Sequence, residues 1–397
     1  METQNPMSFY DRAALLGHDA EALRAGQTVT APVEVADIHA LKALVNQFPS
    51  AVPPASGNAP TDLLSDRVRS FVYGAESLAD DDHNQIKHLF PLQVSAVSVP
   101  DLVLSTLYQV PQSPTVPVFL NFGKVTFNAG GYVVSNGTQL NLTADEIVVN
   151  AAAPAGKAHF NIFGIDGPPG GKVDNGGAGG KGGDGNEGEC SSAGIAGSGG
   201  TNGTNGTDGS DGPDGRNGNP AYPSQATSII INTNLTGTAL PLTVFTRSGS
   251  GGSGGRGGDG GKGGNGGNGG NGRSCGCTGN GGGGGANGGK GGDGGDGGNG
   301  SNAVDGAGAI TVTIPSTVKV SSVFSSHQNA VNGIGGTAGI AAGGGTGGKG
   351  GSGGKHSGNG GDGGDGGHGT NGTDGISGQG SAGNPTPVYI NGGKPAV

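Results

Sequence analysis

The chain has 397 residues, of which 94 are glycine, and a formal net charge of −10. This acidic balance, without a cluster of Lys or Arg, disfavours a nucleic-acid partner. No stretch approaches the roughly 18–20 apolar residues of a membrane-spanning helix, and three scattered cysteines do not make a disulfide framework.

The first 90 residues predict a helical domain. Ser8 is a candidate N-cap for a helix that ends near Ala25, apolar residues at helical spacing mark a second helix over 38–48, and Thr61 is a candidate N-cap for a third. The N-terminus lacks the apolar core of a classical signal peptide. We therefore expect non-classical export, or release by lysis, to place the protein outside a cell or on a virion surface.

An acidic run near the end of this domain has the composition of a metal site. It contains Asp80, Asp81, Asp82, His83 and His88. Runs of this kind are more often a solvated loop or the start of a helix, because their like charges repel one another and are stabilised by water. We expect no metal here.

Residues 91–163 predict β-strands, since the apolar period shortens towards two and Asn-Gly or Gly-Gly pairs separate the segments. A long repeat then begins. Apolar triplets near 147, 229 and 310 open units of about 80 residues, and each unit has a second apolar segment that ends at Phe163, Phe245 or Phe324. Each unit then enters a glycine-rich run. These changes divide the chain into 1–90, 91–163 and 164–397.

The glycine-rich runs hold a period of three. From Gly251 to Gly272 two positions of every three are glycine, and after an interruption that begins at Arg273 the pattern resumes in a shifted frame. This pattern argues against three other structures. A flexible linker has no reason to keep a fixed frame, and collagen needs one glycine per triplet together with much proline. A calcium-binding β-roll needs a nine-residue repeat that contains an aliphatic residue, which these runs lack. A period of three is that of the polyproline-II helix, and two glycine faces would let such helices pack backbone to backbone.

We therefore predict a mixed fold class: an N-terminal helical domain, a short β-strand base and a six-rod antiparallel polyglycine-II helix bundle made of three repeated hairpins. The interruptions should gather as a distal tip, with Cys190 at the first turn, Cys275 and Cys277 at the second and His356 at the third. A Cys275–Cys277 bond would be strained. Three alternatives stay open: a bond from Cys190 to either of the other cysteines, a zinc site with His356, and free thiols.

The tracts of the form GGDGGKGGNGG resemble the polyglycine-II sandwich proteins, closest to the adhesins at the tips of phage long tail fibres, and also the snow-flea antifreeze proteins. The resemblance covers about 164–383. It implies that the N-terminal domain docks on a fibre or a neighbouring subunit, and that the tip loops touch a host receptor, either a glycan or an outer-membrane protein. The residues that it assigns to receptor binding are Asn186, Glu187, Glu189, Cys190, Arg273, Ser274, Cys275, Cys277, Thr278, Lys355, His356 and Asn359.

No nucleophile elbow or phosphate-binding loop occurs between a predicted strand and helix. We expect no enzymatic activity, no catalytic residue and no cofactor. The leading hypothesis is an extracellular adhesin, and the alternative is a self-assembling filament or matrix subunit that binds copies of itself. An ice-binding protein ranks last, because the exposed phase of the triplets is charged rather than rich in Ala or Thr.

Overall fold

The computed structural model describes residues 7–47, 67–68, 71–72, 77–113, 116–191 and 194–393. Its helices are short: α1 (Phe9–Leu15), α2 (Ala20–Arg24), α3 (Ile38–Gln47) and α4 (Asp80–Ile86), with single 3₁₀ turns at Lys87–Leu89 and Val320–Ser322. The strands are β1 (Val29–Val35), β2 (Leu92–Leu104), β3 (Leu107–Gln109), β4 (Val118–Phe127), β5 (Tyr132–Asn136), β6 (Leu140–Val149), β7 (Phe160–Phe163), β8 (Thr227–Thr236), β9 (Leu242–Arg247), β10 (Ser274–Cys275), β11 (Thr278–Gly279), β12 (Ile310–Thr313), β13 (Val323–Gln328) and β14 (Val388–Ile390).

Two sheets form the framework of the molecule. The larger has the order β1-β2-β4-β6-β8-β12-β14 and the smaller has the order β13-β9-β7-β5-β3. Neighbouring strands are parallel throughout, except that β1 pairs antiparallel with β2. The chain alternates between the sheets, from β2 to β3, β4 to β5, β6 to β7, β8 to β9 and β12 to β13. Each of these pairs therefore adds one parallel strand to each sheet.

The main apolar core lies between the two sheets. Alternate residues of each strand point inward, as the period of a β-strand requires. Phe122, Leu142 and Ile147 from the larger sheet and Phe160 from the smaller one are at most 1% exposed. The rings of Phe127 and Phe160 meet edge to face with centroids 5.5 Å apart, so they join strands of the two sheets directly.

The N-terminal segment packs on the outer face of the larger sheet and is not a separate helical domain. The helix predicted to run to Ala25 ends at Leu15, before Gly17 at a positive φ of 69°. The chain then supplies β1 to the sheet, and α3 packs in one apolar cluster with Phe119 of β4. The helix predicted from Thr61 begins outside the described residues.

Each of the three glycine-rich runs is an excursion between two strands of the framework. The first excursion, 164–226, leads from β7 to β8, the second, 248–309, from β9 to β12, and the third, 329–387, from β13 to β14. In the described part of these excursions the regular elements are only β10 and β11, of two residues each.

The fold class predicted from the sequence is therefore wrong. The chain is built on a mixed seven-stranded sheet and a parallel five-stranded sheet, with four short helices among the described residues. It does not show an N-terminal helical domain or a six-rod polyglycine-II bundle on a short β base. Strands of the two sheets are 3 to 13 residues long. From β6 and β7 onward, pairing partners lie about a whole repeat apart, so no local pattern in the sequence indicated that the strands form two continuous sheets. The division at residues 90 and 163 stays a prediction.

Main-chain hydrogen bonds connect the excursions at intervals of three residues. Gly179 donates its N–H to Lys262 O and Gly182 to Asn265 O, while Gly263 donates to Gly343 O at 3.0 Å. The second excursion is thus bonded to the first and to the third. Such close approach leaves no space for a side chain at the facing position, because a Cβ on Gly264 would lie 2.0 Å from Gly180 O of the first excursion.

Candidate binding surface at the turns of the excursions

Each excursion reverses direction near its middle, and the three turns lie against one another. The described residues of the first turn are 187–191 and 194–198, those of the second are 273–280 and those of the third are 355–359. Cys190 of the first turn is disulfide-bonded to Cys275 of the second, and Lys355 of the third donates its N–H to Ser274 Oγ at 3.0 Å. We call the solvent-facing part of these three segments the turn surface.

The disulfide decides between the cysteine alternatives that the sequence left open. Cys190 and Cys275 have Cα atoms 5.5 Å apart, whereas Cys277 is an exposed free thiol. A zinc site built from the turn cysteines and His356 is excluded, because two of the three sulfurs are in the disulfide and zinc binds the thiolate form of cysteine.

Asn280 holds the first two turns together and had no signal in the sequence. It is 4% exposed, and its Nδ2 donates to Glu189 O at 2.7 Å and to Ser198 O. One amide group therefore closes both ends of the first turn. An asparagine beside a glycine run looks like any other turn residue, so only the structure shows its contacts.

Hydroxyl groups complete the connection between the turns. Thr278 Oγ1 accepts a hydrogen bond from the N–H of Ala196 at 3.2 Å. Ser357 Oγ, which the sequence analysis did not single out, donates to Gly279 O. The second turn is therefore bonded on one side to the first turn and on the other side to the third.

Two of the predicted site residues take part in hydrogen bonds between a side chain and the main chain. Asn186 donates its N–H to Thr201 Oγ1 at 2.7 Å, and Asn359 Oδ1 accepts from the N–H of Gly353 at 2.8 Å. Both are exposed, yet these bonds fix the segments that lead into and out of the turns. Asn359 is therefore a positioning residue for the turn surface, whereas at Asn186 only the main chain makes the bond.

The charged residues of the turn surface are exposed. Glu187 and Glu189 lie on the first turn, Arg273 on the second and Lys355 on the third. Arg273 and Lys355 take part in none of the ion pairs that the described residues form. The surface is thus acidic on the first turn and basic on the other two.

Three further exposed residues complete the turn surface. His356 beside Lys355 has a positive φ of 60°, a conformation that non-glycine residues seldom adopt. Cys277 occupies the tip of the β10–β11 hairpin. Ile195, which the sequence analysis missed, is 59% exposed. The turn sequences contain no Phe, Tyr or Trp, so contacts through this surface depend on charge and hydrogen bonding around one apolar side chain.

Away from the turns, carboxylates of one excursion accept hydrogen bonds from amides of the next. Asp293 Oδ1 accepts from the N–H of Thr370 at 2.7 Å and Asp296 Oδ1 from that of Thr373 at 2.7 Å. These main-chain bonds are the largest cause of the lowered pKa of both carboxyl groups, because a donated hydrogen bond favours the charged form.

The acidic run at 80–88 forms α4 and an ion pair. Asp82 is 4% exposed and pairs with Arg67 at 2.7 Å, and the hydrogen bond from Arg67 lowers the pKa of Asp82. Within the described ranges, no group of three or more His, Cys, Asp or Glu side chains is arranged to hold a metal ion. No helix in the described part of the chain is both long enough and apolar enough to cross a membrane.

The comparisons with known proteins identify no relative. No family model, no curated protein and no solved structure matches this chain.

Proposed function

We propose that the protein is a non-enzymatic extracellular adhesin whose turn surface binds a cell-surface receptor, a glycan or an outer-membrane protein. The observation that carries this proposal is the fixed arrangement of the three turns. The Cys190–Cys275 disulfide and Asn280 connect the first two turns, and Ser357 bonds the third turn to the second. The charged side chains of Glu189, Arg273 and Lys355 stay exposed. A surface held in one conformation before contact loses less conformational entropy on binding, which favours affinity.

The distribution of charge favours a polar receptor site. Exposed charges at an interface mainly set the association rate and the choice of partner. An acidic first turn beside basic second and third turns would select a receptor patch with the opposite order of charge. The resemblance of the glycine-rich tracts to tail-fibre adhesins favours the same function, and it extends the proposal to docking of the N-terminal segment on a fibre or a neighbouring subunit.

The test compares two sets of charge substitutions. A turn variant carries Glu189→Ala, Arg273→Ala and Lys355→Ala, and a control variant carries three exposed changes away from the turns, Asp174→Ala, Arg216→Ala and Lys262→Ala. Each fluorescently labelled protein is mixed with a panel of intact Gram-negative and Gram-positive cells. We expect the wild-type chain and the control to label a subset of cells and the turn variant to lose at least tenfold in affinity.

Two results of this labelling assay would contradict the proposal. Equal labelling by the turn variant and the wild-type chain would rule out the turn surface as the receptor site. Absence of labelling by any of the three proteins, across the whole panel, would count against adhesion itself.

The alternative function is a filament or matrix subunit, favoured by the exposed end of the framework. β13 and β14 are the last strands of their sheets, and edge strands can pair with another chain. Phe324 on β13 is 55% exposed. Under this alternative, purified protein elongates with rising concentration under negative stain, and Phe324→Lys blocks elongation. Isolated particles at every concentration would exclude it.

A further inference from the structure

The middle excursion packs between the other two, and its sequence shows which residues such packing allows at the facing positions. In its returning half, Gly289 and Gly292 face the first excursion, and a Cβ on either would lie 2.1 Å from Thr207 O or Ser210 O. Real side chains do not come so close to a main-chain oxygen. Close packing beside the first excursion therefore requires glycine at these two positions, while the buried Ala286 in the same phase shows that a single methyl group is accommodated nearby.

At the first excursion those positions carry side chains. One repeat before Gly289 and Gly292 lie Thr207 and Ser210, within a row spaced by three residues. We name this row, which consists of Thr201, Thr204, Thr207 and Ser210, the first edge row. Among the described residues, the first excursion has no further glycine-rich segment on this side. The side chains of the first edge row are therefore exposed to solvent, whereas the equivalent positions of the middle excursion face the first excursion.

The hydroxyl groups of the first edge row satisfy main-chain donors. Thr207 Oγ1 accepts from the N–H of Gly180 at 2.7 Å and Thr204 Oγ1 from that of Gly183 at 2.7 Å. One repeat later, the equivalent amide of Gly264 donates to a main-chain carbonyl, that of Thr207, at 2.9 Å. A side chain thus takes the place of the neighbouring segment that the first excursion lacks. The remaining bonds of the row run from Asn186 N–H to Thr201 Oγ1 and from Gly177 N–H to Ser210 Oγ.

The third excursion repeats this arrangement with acidic and amide side chains. Gly285 of the middle excursion faces the third excursion, and a Cβ there would lie 2.0 Å from Gly348 O. The equivalent position one repeat later is Asp362, whose Oδ1 accepts from the N–H of Gly350 at 2.8 Å. The Oδ1 atoms of three further side chains accept equivalent bonds of 2.8 Å from main-chain N–H groups: Asp365 from Gly347, Asn371 from Ala341 and Asp374 from Ala338. We name Asp362, Asp365, Asn371 and Asp374 the second edge row.

We infer that the two edge rows terminate the hydrogen-bonded set of excursions at three and prevent a second copy of this chain from adding its own glycine-rich segments. The rows act in two ways: their Cβ atoms occupy the space where a further backbone would lie, and their oxygens satisfy the amides that it would bind. Exposed backbone edges promote association between chains. The inference does not depend on what the turn surface binds.

The test restores glycine at the first edge row. Thr201, Thr204, Thr207 and Ser210 are changed together to Gly, and the oligomeric state is measured by sedimentation velocity over a range of concentrations. We expect the wild-type chain to sediment as one species and the glycine variant to form larger species as its concentration rises. A folded glycine variant that sediments like the wild-type chain would overturn the inference.

Two controls separate edge opening from loss of stability. The variant with Thr201→Ser, Thr204→Ser and Thr207→Ser keeps every hydroxyl and should sediment like the wild-type chain. Thr337→Gly with Thr346→Gly adds backbone freedom of the same kind, at two exposed positions outside the edge rows, and it should also leave sedimentation unchanged. Association of either control would overturn the inference, because neither one opens an edge.

A second measurement tests the inference even if the glycine variant does not fold. In the variant Thr204→Val with Thr207→Val the Cβ atoms stay and the acceptors are lost, so the protein should not associate. The amides of Gly180 and Gly183 should exchange with deuterium about fivefold faster than in the wild-type chain, as expected for the loss of one hydrogen bond each. Unchanged exchange at both amides would overturn the role of the hydroxyl groups.

Discussion

The substitution Gly264→Ala tests how closely the excursions pack. Gly264 is buried in the outgoing half of the second excursion, and an added Cβ would lie 2.0 Å from Gly180 O. To reach an acceptable contact, the segments that carry Gly264 and Gly180 must separate by about 1 Å. This would stretch the two bonds that join them, from Gly179 N–H to Lys262 O and from Gly182 N–H to Asn265 O, both now 2.8 Å, beyond hydrogen-bonding range.

The expected loss of stability follows from these two bonds. A buried amide left without a partner costs about 1–3 kcal/mol, so Gly264→Ala should lower the free energy of unfolding by about 2–6 kcal/mol. The matched control is Gly367→Ala, where an added Cβ meets nothing within 4 Å and no positive φ is required. There, reduced freedom of the unfolded chain should stabilise the protein by about 0.4–1 kcal/mol.

Urea denaturation followed by circular dichroism measures both changes. Deuterium exchange should be faster than in the wild-type chain at Gly179 and Gly182 in the first variant, and unchanged at both amides in the second. The two substitutions are chemically identical, so opposite signs can come only from the surroundings of each glycine. Equal stability of Gly264→Ala, Gly367→Ala and the wild-type chain would refute the close-packed arrangement of the excursions.

Three further substitutions have expected outcomes. Arg12→Met should lower the free energy of unfolding by about 3–5 kcal/mol in urea denaturation, because Arg12 is 1% exposed and bonded to Asp145 at 2.7 Å. Cys190→Ser should destabilise the protein by up to about 4–5 kcal/mol, since the disulfide spans 85 residues. Asp296→Asn should make the thermal stability fall less steeply as the pH is lowered. The lowered pKa of Asp296, caused mainly by the amide of Thr373, adds stability above the unfolded-state pKa that disappears as the pH falls through the folded-state pKa.

Each of these predictions has a control. Arg24→Met changes an exposed arginine and should cost little. Cys277→Ser removes the free thiol and should leave stability unchanged, and reductant should abolish the difference between Cys190→Ser and the wild-type chain. Asp174→Asn, at an exposed carboxylate, should keep the acid profile of the wild-type chain. A control that behaves like its test variant would contradict the reason given for it.

The sequence located the repeated segments but not their partners. The apolar triplets at 229 and 310 lie in strands β8 and β12, which pair in parallel with Ile229 opposite Val312, so the two triplets are offset by two residues. The spacing could not show that β8 also pairs with β6, or that the alternate strands of each unit make a second sheet. Pairing between segments a whole repeat apart depends on how the chain returns, and no local pattern encodes that path.

The repeated phenylalanines show the same limit. Their even spacing was read correctly, yet Phe163 and Phe245 lie on the outer face of the smaller sheet, with ring centroids 5.8 Å apart, while the core contains Phe160 and Val244. In a β-strand, a shift of one residue exchanges the buried and the exposed face. The sequence near Phe163 offers apolar residues on both faces, so it could not decide which of them faces inward.

The sequence indicated where the turns lie along the chain, but not which residues make contacts between them. The interruptions of the triplet pattern placed Cys190, Cys275 and Lys355 at turns, and these turns do lie together. The sequence could not choose between Cys275 and Cys277 as partner of Cys190. It also could not identify Asn280, because its importance comes from two carbonyl groups that lie about 80–90 residues away along the chain.

By itself, the sequence determined where side chains are absent and how regularly, because a period of three in glycine is a property of the chain alone. The tertiary structure decided what lies beside each glycine, and therefore which glycines must stay glycine and which positions carry an edge row. Gly289 and Thr207 occupy equivalent places in successive repeats, and only the presence or absence of a neighbouring backbone distinguishes them. That neighbour is supplied by a distant part of the chain, so the distinction arises only in the folded protein.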